Sequence, residues 1–234
     1  MVLFLKLILA HLIADFILQF DKLYQLKVKS RLGHVFHASI HGLTSLLLAL
    51  PYLRDPRVWG LILTLAVIHY FQDLLKYHLQ KERPQSTCIF FSVDQVFHVL
   101  FISSVFLFPM ARHPPDFSRF PRLGFFYTEN FWTLLAIVFV TATFAGSYFL
   151  HNLGKNYFKA PRPDQYITPF EISHGILERT WITGIFLFAN PIFFALAPAV
   201  GIFRLPKKIL KSWRDFILSF IYAASLGLLF RPFL

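Results

Sequence analysis

The feature that most restricts this chain is a pair of metal-type side chains four residues apart, set inside an apolar run and then repeated. His11 and Asp15 lie in LFLKLILAHLIADFILQF, and His37 and His41 in HVFHASIHGLTSLLLAL. His69 and Asp73 lie in LTLAVIHYFQDLLKYHL, and Asp94 and His98 in FFSVDQVFHVLFISSVF. A fifth pair, His174 and Glu178, lies in FEISHGILERTWITGIF. Residues four apart stack on one face of a helix, so each pair points two potential ligands the same way. Random placement of this chain's His, Asp and Glu gives roughly two such pairs, whereas six occur when His78 with Glu82 is included. Five of the six sit in apolar segments, where ionisable groups are costly and mark functional sites.

The runs around these pairs define the fold class. The chain is 56% hydrophobic and 15% charged, against about 25% charged in a soluble domain. A bilayer crossing needs about 20 mostly apolar residues. The pattern predicts an all-α, polytopic transmembrane bundle with helices near 2–20, 34–53, 58–80, 91–110, 130–153, 171–198 and 212–230. Seven spans are expected, with six as the alternative. Prolines punctuate the connectors at Pro51 to Pro56, Arg83-Pro84, His113-Pro114-Pro115, Pro161 to Pro163 and Leu205-Pro206. Asn190-Pro191 and Pro198 are expected to kink or end the sixth helix. No linker separates a soluble domain, so 1–234 reads as one membrane domain, with a motif-bearing half at 1–110 and supporting helices at 130–234. The first apolar run carries His11 and Asp15 and lacks a small-residue cleavage site, so it reads as a retained helix. Lysines and arginines balance across the two sets of loops, and the positive-inside rule gives no orientation.

Function classes narrow further. The net charge of +11 is spread over short loops, which suits anionic lipid headgroups and does not suit nucleic acid. One cysteine, Cys88, allows neither an internal disulfide nor a cysteine metal motif, so any metal site uses His and carboxylate. Helices alternate direction, and the first four pairs then fall on one membrane face, near the mouths of loops one, three and five. This depth predicts a single centre between helices one to four, at headgroup level. Its metal ligands would be His11, Asp15, His37, His41, His69, Asp73, Asp94 and His98. These eight exceed the roughly four ligands of one structural zinc and suit two divalent ions, zinc or manganese, with iron as the alternative. They equally suit one ion whose ligands are oriented by the rest, a role open to Asp15 or Asp73.

Gln19, Gln95 and His174 stand beside the ligands. Lys76 and Arg179 would hold a phosphate or carboxylate, and Glu178 would act as general base. His34, His78 and His113 read as interfacial residues outside the centre. A lone membrane histidine is more often a hydrogen-bonded helix contact than a ligand, and it is the stacking of four pairs that favours metal.

These residues also resemble a known family. HLIADFILQFDKL, HASIHGL, IHYFQDLLK, VDQVFH and the late HGILER match H-x-x-x-D-F-x-x-Q, H-x-x-x-H, H-x-x-x-D-x-x-K, D-Q-x-x-H and L-E-R. That set is similar to the bacterial integral-membrane family called domain of unknown function 3307. The resemblance covers the first hundred residues and returns in one later motif. It implies a bacterial inner-membrane location and brings no activity with it. The residues themselves favour a membrane-embedded, metal-dependent hydrolase acting on a lipid or lipid-linked phosphate. The alternatives are a di-iron oxidoreductase of the desaturase or hydroxylase type, and a metal-ion or proton transporter using the same cluster.

Overall fold

Apolar side chains turn outward and ionisable ones inward. Along helix α4 (Pro56–Glu82), Leu63, Val67, Phe71 and Leu75 recur every four residues and are exposed, while His69 and Asp73 are buried. This arrangement inverts that of a water-soluble helix and fits one surrounded by lipid. The computed structural model describes residues 1–109, 117, 121–157, 169–204 and 213–234. Among these, every regular element is helical. The expected connectors at His113 to Pro115, Pro161 to Pro163 and Leu205-Pro206 lie outside the described residues.

Four helices are long and apolar enough to cross a membrane: Pro56–Glu82, Pro84–Leu107, Asn130–Gly154 and Arg214–Phe233. A fifth is added if Val2–Ile17 and Asp21–Lys29, bent 84° to one another, are one broken span. The expected count of seven is therefore not what the described helices give. The second and sixth expected spans do fold as helices, α3 (Arg31–Leu48) and α9 (Pro169–Phe188). However, α3 carries Arg31, His34, His37 and His41, and α9 carries His174, Glu178 and Arg179, so both fall short in apolar character.

The chain divides into two units, Met1–Ile137 and Val138–Leu234. In the first, α1 (Val2–Leu12) runs into a π-helical turn, Ile13–Ile17. The chain then bends into α2 (Asp21–Lys29), an element that the sequence reading left inside loop one. Helices α3, α4 and α5 (Thr87–Ile102) complete the motif-bearing bundle. Asp55 caps α4 by accepting the Arg57 backbone N–H at 3.0 Å, with Pro56 in the first turn. The Arg57 guanidinium also holds the exposed Asp55 carboxyl below its ordinary pKa. At the other end α4 stops at Arg83, before Pro84.

Leu3, Leu7, Tyr52, Val58, Leu61, Ile62, Ile102 and Val105 form an apolar core at one end of this unit. Short α6 (Pro121–Thr128) follows, and α7 (Asn130–Val140) leads into the second unit.

The second unit contains a π-helical turn, Thr141–Ala145, then α8 (Gly146–Tyr157), α9 and α10 (Trp213–Phe230). Its core is Ile182, Phe186, Ala197, Ala223 and Ala224. Helix α9 ends at Phe188, and the 3₁₀ segment Pro191–Arg204 follows, so the chain breaks where Asn190-Pro191 predicts it. Arg231 donates to the carbonyls of Phe186 and Ala189 at 3.1 and 2.9 Å, satisfying the end of α9.

One glycine sets how closely α2 and α3 approach. A Cβ on Gly33 would lie 2.3 Å from the Lys27 backbone nitrogen and 2.4 Å from the Leu26 carbonyl carbon. Backbone cannot move aside as a side-chain tip can. Gly33→Ala should therefore cost about 1–3 kcal/mol, the scale of overpacking. Gly60, in α4, has nothing within 4 Å of its Cβ position, so Gly60→Ala should stabilise by about 0.5–1 kcal/mol. Denaturant midpoints of the two variants in detergent should move in opposite directions. Equal shifts would show that the α2–α3 contact does not constrain the fold.

Candidate metal centre

The π turn at the end of α1 presents Asp15 to the middle of the first unit. Such single-turn insertions are frequent at functional sites. Asp15 is buried, and its Oδ1 accepts from His37 Nε2 and His41 Nε2, both at 3.0 Å. His69 Nε2 lies 3.8 Å from the same oxygen. Asp15 Oδ2 faces His11 Nε2 at 3.5 Å and accepts from Gln95 Nε2 at 3.3 Å. One ligand atom each from His11, Asp15, His41 and His69 lies within 4.8 Å of the other three. This group of three imidazoles and one carboxylate can hold a metal ion, and its chemistry suits zinc, manganese or iron.

The ionisable groups separate into two adjoining networks. Asp73 accepts from His34 Nδ1 at 2.7 Å and pairs with Lys27 Nζ at 2.8 Å. Lys76 Nζ bridges Asp94 at 2.8 Å and Asp73 at 3.2 Å, and Lys27 Nζ also donates to Gln19 Oε1 at 2.7 Å. Asp73 and Asp94 thus face lysines. Asp15 does not: among the described residues no lysine or arginine pairs with it. Gln95 joins the networks, because its Nε2 also donates to Asp94 Oδ2 at 3.3 Å.

All four pairs of the first hundred residues are buried in this unit, and their rings interlock, with His41 and His69 stacked at 3.6 Å between centroids. His69 is thirteen residues from either end of α4, about 20 Å at 1.5 Å per residue. The lysine–aspartate network, not the histidines, lies toward loops one and three. His34 also departs from the interfacial reading, since it is almost fully buried against Asp73. His78 is exposed and pairs with Glu82 at 3.0 Å.

Lys27 and His34 are the functional-type residues that sequence reasoning missed. Lys27 looks like one of several loop cations and gives no periodic signal. His34, His37 and His41 share a helical stripe at spacings of three and four, a signal that finds His34.

His174, Glu178 and Arg179 belong to the second unit. Glu178 and Arg179 are buried there, and His174 is half-buried. Arg179 donates to the carbonyls of Ala142 at 2.7 Å and Thr143 at 2.9 Å, and to the Ser147 hydroxyl. Cβ atoms on Gly146 and Gly175 would press within 3.3 and 2.9 Å of its side chain. The guanidinium that the sequence assigns to a phosphate therefore has backbone partners in its own unit.

Beside the histidines is a cavity of about 30 Å³, enough for a water or two. His11, His41, His69 and His98 line it together with Leu7, Ile62, Leu65, Ala66, Phe101 and Ile102, with Ser45 and Gln72 as further polar members. The centre is thus bounded by charge toward loops one and three and by hydrocarbon on its other side.

Fold and site define a helical membrane-type unit built around a buried histidine–aspartate cluster. Residues 3–115 match the family described as protein of unknown function (DUF3307), the family that the motifs of this segment resemble. No curated protein and no solved structure matches the chain.

The two networks predict different mutational costs. Asp73→Leu leaves Lys27 buried beside no carboxylate and should cost about 3–5 kcal/mol. Adding Lys27→Met should recover part of that loss, because the stranded charge is gone. A double mutant that is no more stable than Asp73→Leu alone would show that the buried pair is not coupled.

Proposed function

We propose that the first unit holds one divalent ion at His11, Asp15, His41 and His69 and that the protein is a membrane-embedded, metal-dependent hydrolase. The observation that carries this reading is Asp15. A buried carboxylate needs a cation, and the nearby lysines are committed to Asp73 and Asp94. A bound zinc or manganese ion would supply that charge and act as a Lewis acid, and zinc would bring the pKa of bound water to about 7.

The chain's own residues then have separable tasks. His37 donates to Asp15 and orients it. The Lys27–Asp73–Lys76–Asp94 network closes the centre on the side of loops one and three. Leu65, Ala66 and Phe101 keep the opposite side apolar, so the scissile group arrives on a lipid. A lipid or lipid-linked phosphate remains the proposed substrate class, within a bacterial inner membrane. One ion fits better than the two first expected, because Asp73 and Asp94 already have cationic partners. The same economy of carboxylates argues against a di-iron oxidoreductase.

A second reading is favoured by one specific observation. Lys27, Asp73, Lys76, Asp94, Gln95 and Asp15 form an unbroken polar chain, as a proton relay would need.

Elemental analysis of detergent-purified protein separates the readings. About one zinc or manganese per chain is expected, falling at least tenfold in affinity in His41→Ala and Asp15→Asn and unchanged in His78→Ala. Metal-loaded wild type, but not Asp15→Asn, should consume a phosphate-containing lipid from a bacterial extract. Protein that purifies without metal, cannot be loaded, and conducts protons in liposomes would replace the hydrolase with the relay.

A further inference from the structure

Helix α5 supplies none of the four grouped ligands, yet two of its side chains touch the ligand rings. Gln95 and His98 are three residues apart on one face. Their hydrogen bonds restrict where the protons on those rings sit. His98 Nδ1 lies 2.6 Å from the Asp94 carbonyl oxygen and 3.5 Å from an Asp94 carboxylate oxygen. Both are acceptors, so His98 Nδ1 carries the hydrogen. With one proton per ring, His98 Nε2 is a lone pair, and it accepts from His69 Nδ1. His69 Nε2 is then left without a hydrogen. It is buried, has no hydrogen-bond partner among the described residues and faces Asp15.

Gln95 works in the same way. Its Nε2 sits between carboxylate oxygens of Asp15 and Asp94, which fixes the amide orientation and turns Oε1 toward His11 Nε2 at 3.2 Å. An amide oxygen only accepts, so His11 Nε2 carries its proton and Nδ1 keeps the lone pair.

We infer that α5 is the tautomer-setting helix of the centre: His98 and Gln95 are positioning residues that hold His69 as the Nδ1–H form, with its Nε2 free toward Asp15 for a metal, and His11 as the Nε2–H form. The sequence reading made His98 a ligand. The geometry instead places it behind His69, where a metal-binding imidazole hands its other N–H to a partner. This inference rests on the metal reading for its purpose, though the tautomers themselves are a property of the metal-free protein.

The first measurement needs no metal. In chelator-stripped wild type labelled with ¹⁵N-histidine, in lipid bilayers, His69 should show a protonated Nδ1 and a bare Nε2, and His11 the reverse. Peaks are assigned by their loss in His69→Gln and His11→Gln. A His69 that is mainly Nε2–H overturns the inference, even if zinc binds. The second measurement is zinc affinity. His98→Gln keeps an acceptor near the position of Nε2 and should bind zinc within a fewfold of wild type. His98→Leu removes the acceptor and should weaken binding by ten- to a hundredfold. Equal losses in the two variants would make His98 a ligand or a packing residue and overturn its positioning role. If wild type shows the expected tautomers but binds no zinc, manganese or iron, the metal reading fails and the tautomer assignment stands. Should the His98 variants not fold, the wild-type spectrum alone decides.

Discussion

A carboxylate buried in a bundle whose outer face is apolar has to be neutralised, and Asp15 is the group around which the first unit is arranged. Isolated charge in a low-dielectric interior costs far more than the stability of a domain, so it is paired, protonated or metallated. Asp73 and Asp94 follow the first route through Lys27 and Lys76. Among the described residues Asp15 hydrogen-bonds to imidazoles and an amide, groups that can donate without bringing a fixed charge, while the lysines pair with other carboxylates. Four helical elements converge to provide this surrounding, which explains why the histidines recur helix after helix. The difference between the two kinds of carboxylate matters more for function than their common burial.

The fold separates these environments along its length. From His69, Asp73 is one turn toward loop three, and Ile62 is two turns the other way. From His98, Asp94 is one turn toward loop three and Ile102 one turn away from it. The centre therefore has a charged side and a hydrocarbon side. Helix α2 completes the charged side, folding back after an 84° bend so that Lys27 reaches Asp73. That reach depends on Gly33, where the backbones of α2 and α3 come too close for a Cβ.

Much of this was legible in the sequence, and the failures have physical causes. Paired spacing in apolar runs found the eight buried residues of the first four pairs, because burial of an ionisable group is costly enough to leave a pattern. Helix ends were misplaced because the helices were assigned from hydropathy, whereas α3 begins at Arg31 and α4 extends to Glu82, both in polar sequence. The same reliance on hydropathy hid α2, a polar helix whose partner is a buried carboxylate. Lys27 and Lys29 are indistinguishable as letters; only the fold directs one of them inward. Lys76 was expected to hold a phosphate or carboxylate, and its commitment to two carboxylates of the chain depends on how α4 meets α5 and has no sequence signature.

The two π-helical turns show how such interiors tolerate irregular backbone. In each, an inserted residue disturbs the regular i to i−4 ladder, and a carbonyl freed in hydrocarbon must find another donor. In the first unit the turn at Ile13–Ile17 carries Asp15, so the irregularity sets the direction of the central carboxylate. In the second unit the turn at Thr141–Ala145 presents the Ala142 and Thr143 carbonyls to Arg179. A guanidinium has five donors in a fixed plane and suits several carbonyls at once, which a lysine would not. Gly175, one turn before Arg179, and Gly146 leave room for that plane. The late H-G-x-x-E-R stretch thus has a structural account within its own unit: the glycine clears the space and the arginine satisfies the bulge. A phosphate-binding role would require Arg179 to turn away from the carbonyls of Ala142 and Thr143.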